Sequence, residues 1–369
     1  MKNRICQKYA NNNPFSFIGK GFAWSLFIVM SFTSCKTSMV FTTLDILRPA
    51  YIEFPANVEN ILIVNNTKIQ PDEIGHSIQL LGHPLQHTSV SADSVSIFLL
   101  SVLTEEIQES GFFNSTQLIL NTLNTNTDFV NITPLSRSTI TNLFNTYHVD
   151  AIISLDHIVV RSQIQEHQNR EWNFFYSLLD VRNDSFWSIH FRDAHAVGHH
   201  FQDSIFWLSE SHIRAQALNG LPDRRDAIID AALIAGHNSA RRFVPHWEQA
   251  DRFFYESNHN IYMHQAMTHF RHRYWENAIE LWKQALNTTN NRRLKAQAAN
   301  NIAITYEILG RYDEALNYAQ LSLNTHNSRT IIDIEASTRL ANYVIELIQR
   351  QEEVLRLNRQ LGITNDTNP

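Results

Sequence analysis

The chain has 369 residues, 22 of them Phe, and is 43% hydrophobic, which suggests two domains with real cores. Its formal net charge is −6, and Lys and Arg cluster no further than pairs such as Arg241–Arg242 and Arg292–Arg293, which argues against a general nucleic-acid binder. With only 10 Gly and 9 Pro, Gly-rich phosphate loops and long flexible linkers are disfavoured.

Residues 1–20 carry Lys2, Arg4, Lys8 and Lys20 and no Asp or Glu. Gly21 to Phe32 is almost wholly apolar but spans 12 residues, whereas a bilayer crossing needs about 20. Thr33, Ser34 and then Cys35 complete the layout of a secretory signal. This end resembles the bacterial lipobox, in which the Cys is acylated and becomes the new N-terminus, although Phe32 stands where Leu is usual. Cleavage before Cys35 removes Cys6, so the mature chain keeps a single, lipidated Cys. That excludes a disulfide, a Cys-based metal site and a Cys nucleophile. Lys36, Thr37 and Ser38 form no acidic run of the kind associated with surface export, which favours the periplasmic face.

Residues 1–34 are thus expected to be a signal peptide, 35–40 a lipidated tether, 41–250 an α/β domain and 251–369 a helical tail. Within the α/β domain, Phe41–Phe54 reads as two extended pieces broken by Pro49. "NILIV" (60–64), "QLILN" (117–121) and "AIISL" (151–155) read as strands. Helices are expected from Ser91 to Gly111, capped by Ser91 or Asp93 and striped by Val95, Phe98, Leu99, Val102 and Leu103, and from Ser136 to Tyr147. Strand, helix, strand, helix, strand implies an α/β (α+β) sandwich with partly parallel strands. Segments 172–181, 186–197 and 201–208 then read as antiparallel strands, with "RND" (182–184) as a hairpin turn. Helices are expected over Glu210–Asn219 and Arg224–Phe243, the latter opened by Pro222 and Asp223 and stopped by Pro245. Its small residues Ala227, Ala231, Ala232, Ala235 and Gly236 suit a close approach to the sheet.

The tail repeats. "YWENAIELWKQALN" (274–287) matches "RYDEALNYAQLSLN" (311–324), placing Ala278 and Ala315 in register. The second copy begins "ANNIAITYEILGRYDEA", with Gly310 at the turn; the first has His269–Arg273 there. The pattern resembles the tetratricopeptide repeat, so the tail is expected to be all-α and tetratricopeptide-like, with Ile332–Leu361 as a capping helix. It is expected to pack on the first domain through Trp247, Phe253, Phe254 and Tyr255. The resemblance places a partner groove on the first helix of each repeat, at Tyr262, Gln265 and His269 and at Asn301 and Thr305, with Asn301 where the repeat often hydrogen-bonds a peptide backbone.

The 18 His call for a metal test. His195 and His199 share a strand face beside His200, with Asp193 and Asp203 near, and neutral imidazoles can hold Zn²⁺ or Cu²⁺. No carboxylate or further His stands at a diagnostic spacing, so polar side chains solvated near a strand end are the simpler reading, and His264, His269 and His272 read likewise as groove or surface residues. Asp156, His157, Arg161 and Glu166 lie near a strand end, as polar strand ends commonly do. No Ser elbow, metalloprotease helix, phosphate loop or dinucleotide loop is found. No cofactor and no metal are therefore expected.

"LRPA" (47–50), "ILIVNNT" (61–67), the 221–255 segment with Pro245, Trp247, Arg252 and Tyr255, and the repeat pair follow in order behind Cys35. Together they resemble the Bacteroides-group lipoproteins catalogued as domain of unknown function 6340. Membership implies an outer-membrane lipoprotein with a tetratricopeptide tail and hands over no catalytic residue. The expectation is a non-enzymatic, membrane-anchored scaffold or assembly factor that binds an envelope protein or peptide through its repeats. The alternative is an envelope metal-binding protein or enzyme using the α/β domain.

Overall fold

The computed structural model describes residues 38–126, 128–192, 195–328 and 333–363. The signal, Cys35, Lys36, Thr37 and Asp193 lie outside the described residues. The chain forms two compact units. One comprises residues 43–251 with the stretch from Asn342; the other comprises 252–341 with the chain up to Thr42. The internal border falls one residue from the expected one, but the C-terminal stretch groups with the α/β unit and not with the tail.

In the α/β unit, β2 (Asn60–Asn65) pairs in parallel with β5 (Ser115–Ile119) on one side and with the start of β6 (Ala151–Asn169) on the other. Its side chains Ile61 to Val64 are fully buried, as a bare apolar run in a central parallel strand must be. Helix α1 (Val95–Ser110) leads directly into β5, and α2 (Arg137–Tyr147) joins β5 to β6. Ile61, Ile63, Ile153 and Leu155 pack with Val95, Leu99 and Leu103 of α1. Leu62, Val64 and Ile152 pack with Leu143 and Phe144 of α2 on the other face. The alternation of one strand thus feeds two cores.

Beyond Leu155, β6 continues for fourteen residues that the sequence pattern did not suggest. Its later part, Ser162–Gln165, pairs in parallel with β3 (His76–Gln79), which carries the short antiparallel β4 (Gln86–His87). Along its other edge β6 pairs antiparallel with β7 (Phe174–Phe191), and β7 with β8 (Val197–Ser211). The expected turn at 182–184 does not form. Asn183 and Asp184 are buried mid-strand with partners on either face: Asn183 Nδ2 donates to the Ala231 carbonyl at 2.9 Å, and Asp184 pairs with Arg161. Those contacts replace the local bonds that make Asn and Asp turn formers. The chain turns instead at 170–173, where Asn169 Oδ1 accepts from the Glu171 and Trp172 N–H groups and Asn173 has φ +47°.

Three further expectations change. Residues 38–48 form one strand, β1 (Ser38–Arg48), with no second extended piece after Pro49. β8 runs to Ser211, leaving helix only in α3 (Arg214–Asn219). Helix α1 starts after Ser94, which makes no side-chain cap, whereas Gly111 ends it at φ +61° as expected. Helix α4 (Arg224–Phe243) has the expected bounds, with the Asp223 carboxylate accepting from the N–H groups of Arg225 and Asp226. The strand β9 (His246–Glu256) follows and pairs with β1.

The helical unit contains α5 (Ile261–Arg271), α6 (Trp275–Thr288), α7 (Arg292–Ile308), α8 (Tyr312–Asn327) and the start of α9 (Ile334–Gln360). The repeat register is preserved in burial: Ala278 and Ala315 are both fully buried, as are Ala285 and Ser322. Gly310 has φ +72°, and Arg273, at the equivalent place, adopts φ +61°. The turn geometry is therefore common to both copies, although only one has the glycine it favours. Phe254 is buried in this unit, with its ring 4.2 Å from Phe270 and 6.0 Å from Trp282, while Trp247 is exposed. The aromatic run thus serves the helical unit itself.

The small residues of α4 serve a helix contact as well as the sheet. A Cβ added at Gly236 would lie 2.6 Å from the Leu99 carbonyl and 3.0 Å from Val102 Cβ, both on α1. Gly236→Ala must therefore separate α1 from α4. It is expected to lower stability by roughly 1–3 kcal/mol in chemical denaturation; an unchanged midpoint would show that the contact yields freely.

Candidate functional site

Two groupings of polar residues stand out, one in each unit. In the α/β unit, β6 carries a bulge between Leu155 and His157. A bulge adds one residue to a strand and re-aims its side chain. Here that residue is Asp156, which is buried together with Ser154 and His157. The Asp156 carboxylate accepts from Asn66 Nδ2 at 2.9 Å, Ser154 Oγ at 2.7 Å and Ser188 Oγ at 2.5 Å. Three donors make up for lost water without a counter-cation. Both hydroxyls give their protons to the carboxylate directly, so the cluster fastens β6, β7 and the residue that follows β2 and presents no relay through an imidazole.

Beside it, Lys68 is buried with its ammonium donating to the carbonyls of Asp128 and Asn131 and to Thr133 Oγ1, at 2.5–2.9 Å. It holds down the segment after β5. His157 lies 4.7 Å from the Phe129 ring, and its Nδ1 is buried without a partner, as is His190 Nε2. Burial, and secondarily the Lys68 charge, pushes the His157 imidazole below its ordinary pKa; burial does the same to His190, against the opposing pull of Asp156. His76, bonded to Ser162 Oγ at 2.8 Å, is lowered by burial and by Arg224.

The strand-end residues weighed from sequence do not converge. Arg161 pairs with Asp184, while Glu166 is gripped by Arg214 and by the Leu81 N–H. His199 lies against Tyr51 and Phe201, and His200 stacks on Phe186 at 4.3 Å. Among the described residues no group of three or more His, Cys, Asp or Glu is placed to hold a metal ion.

In the helical unit the arrangement is more specific. Asn301 Nδ2 donates to the Tyr255 carbonyl and its Oδ1 accepts from the Tyr255 N–H, both at 2.8 Å. Asn300 Nδ2 donates to the Phe253 carbonyl at 2.9 Å. Residues 253 and 255 point their backbone groups to the same edge of β9, so consecutive carboxamides on α7 substitute for a neighbouring strand. Arg252 completes the grip through Nε and Nη2 on Glu307, at 2.8 and 2.6 Å, with both side chains 4% exposed. Helix α7 holds its own extended segment.

This corrects two expected groove residues. Asn301 and Thr305 are 0% exposed, and Thr305 Oγ1 donates to the Asn301 carbonyl. The physical reason is that α7 is buried on every side from Ala296 to Glu307, so it has no outer polar face. On α5, by contrast, Gln265 is exposed and Tyr262 and His269 are half-buried. Cys35 lies outside the described residues. The clasp on β9 was missed because its partner lies 46 residues upstream.

Comparisons with known proteins fit this division of the chain. A family model described as "Domain of unknown function (DUF8603)" matches residues 58–255, more than half of the chain. A second, "Domain of unknown function (DUF6340)", matches residues 264–349. The resemblance read from sequence is thus confined to the helical part; "LRPA" and the Pro245–Tyr255 segment fall outside it. No curated protein matches the chain. Among solved structures, protein XCC0632 from Xanthomonas campestris, of the DUF330 family model, is similar at 10% identity and a TM-score of 0.25. It covers 54% of this chain and 92% of its own, a likeness too slight to carry an argument. No helix of the described residues is long and apolar enough to cross a membrane.

Two outcomes follow. Asn301→Ala leaves the Tyr255 N–H and carbonyl buried and unbonded, so it is expected to cost about 1–3 kcal/mol of stability; an unchanged melting temperature would refute the clasp. Secondly, a His whose folded pKa is depressed binds its proton in the unfolded chain first. Stability is then complete above the unfolded value of about 6.5 and falls as pH drops below it. His157→Phe, which keeps a ring against Phe129, is expected to flatten the loss of stability between about pH 7 and 5. An unchanged slope in pH-dependent denaturation would remove His157 from the account.

Proposed function

The chain belongs to the family described as domain of unknown function DUF8603, and from its helical clasp we propose that it is a membrane-tethered, non-enzymatic scaffold that binds an envelope protein. The single observation that carries this reading is the grip of α7 on an extended backbone. Carboxamides bond the main chain, an aromatic cradle takes Phe254, and a buried ion pair fixes the register. Side chains that read main-chain groups are a general means of recognising polypeptide. In this reading the helical unit is tetratricopeptide-like, and its inner face is already engaged in cis. The surface left for a partner is α5, with Tyr262, Gln265 and His269, beside the exposed Ile261.

The same reading takes Cys35 as a lipidation site on the outer membrane, facing the periplasm. The run of basic residues, apolar core and Cys supports the anchor. The α/β unit then supplies a rigid body, pinned by buried polar contacts around Asp156.

The test has two arms. Cys35→Ala is expected to lose labelling by a fatty-acid probe and to leave the membrane fraction or persist as precursor; retained labelling overturns the anchor. The Tyr262→Ala, Gln265→Ala, His269→Ala triple variant is expected to lose the proteins that co-purify from the native envelope, at unchanged melting temperature. A complete partner set on that variant would overturn α5 as the docking surface.

A further inference from the structure

A cavity of about 200 Å³ opens within the helical unit, between α7, α8 and the start of α9. Its polar lining is Tyr255, Arg293, Gln297, Ser322, His326, Asp333 and Arg339, and Met39, Ala296, Ala336 and Leu340 supply an apolar side. Three facts single it out. Gln297 is 5% exposed, yet its carboxamide makes no hydrogen bond among the described residues. Its amide atoms are not fully sealed from solvent and so face the cavity, where an incoming ligand can bond them. The Arg293 guanidinium likewise has no ion-pair or hydrogen-bond partner there. Arg339 Nε is buried without a partner, although its Nη1 pairs with Glu335.

Charge decides the class of ligand. Glu335 answers Arg339. Asp333 accepts from the Ala336 N–H at the start of α9 and keeps its negative charge, which acts on Arg339. His326 Nε2 lies 3.1 Å from the Asp333 carbonyl. The lining itself sets Arg293 and Arg339 against Asp333, one net positive charge, which suits a monoanion and disfavours a phosphate dianion. A planar guanidinium and a carboxamide match the two oxygens of a carboxylate, while the apolar side takes a short hydrocarbon stem. We propose that this cavity binds a small monocarboxylate, its oxygens held by Arg293, Gln297 and Arg339 Nε and its stem against Met39, Ala336 and Leu340.

The probes are isobutyrate, its uncharged amide, and acetyl-dialanine with a free C-terminus, titrated into the purified full chain by calorimetry. Isobutyrate or the acetylated peptide is expected to bind saturably, with the amide at least tenfold weaker. A preference for the peptide assigns the carboxylate to a polypeptide terminus; a preference for isobutyrate assigns it to a free acid. Arg293→Gln, at an exposed position, should fold normally and weaken binding at least tenfold. Gln297→Leu should also weaken it at least tenfold, with a melting temperature equal to or above that of the parent, because it removes an unbonded amide. Absence of saturable binding by either acid, equal binding of the amide, or full binding by both variants would overturn the site.

Discussion

The seven-stranded sheet depends on one strand that has to serve two sets of neighbours. β6 meets β2 along its first residues and β3 along its later ones, and it carries β7 antiparallel for its whole length. A strand this long cannot keep strict alternation and still suit a helix-covered half and an open half. The bulge at Asp156 is where the two halves meet. The extra residue puts a carboxylate into the interior, and the bonds from Asn66, Ser154 and Ser188 make that placement tolerable. The same three donors tie β7 and the residue that follows β2 to the bend. Replacing such a group with an apolar one would remove both the cost and the joint.

A similar constraint operates on β9. Its pairing with β1 satisfies one edge only, and an unpaired edge is costly when buried. Asn300 and Asn301 answer that need from a helix, at the spacing the strand sets. The Arg252–Glu307 pair adds little net stability if judged against apolar residues, since desolvation offsets its attraction. Its geometry instead fixes which residue of the strand meets which turn of the helix. Register along an extended segment is otherwise weakly specified.

How much of this was legible follows from how local each cause is. "NILIV" and "AIISL" were readable because full burial on both faces leaves an unbroken apolar run. The continuation of "AIISL" was not, because Asp156 and His157 interrupt the run with residues whose partners lie on other strands. "RND" misled for the same reason: its turn-forming chemistry is real, but Ala231 and Arg161 offered better bonds than a tight turn. Helix α4 was read to its bounds because Asp223 and Pro245 act locally. Gly236 was identified as a close-approach residue, but the helix it approaches was not in the local pattern.

The Asn301 case separates two kinds of inference. The repeat register put an amide where it meets a polypeptide backbone, and an amide does meet one there. What the register cannot contain is whose backbone it is. A groove competes for any extended segment at hand, and a segment of the same chain has an effective concentration no free peptide reaches. Arg252, Phe254 and the two carboxamides together bury charge, ring and backbone of that segment, so an outside strand would have to displace all four contacts at once. On the proposed reading, partner recognition by this helical unit uses surfaces that the cis segment leaves open, namely α5 and the cavity where Arg293 and Gln297 lack protein partners among the described residues.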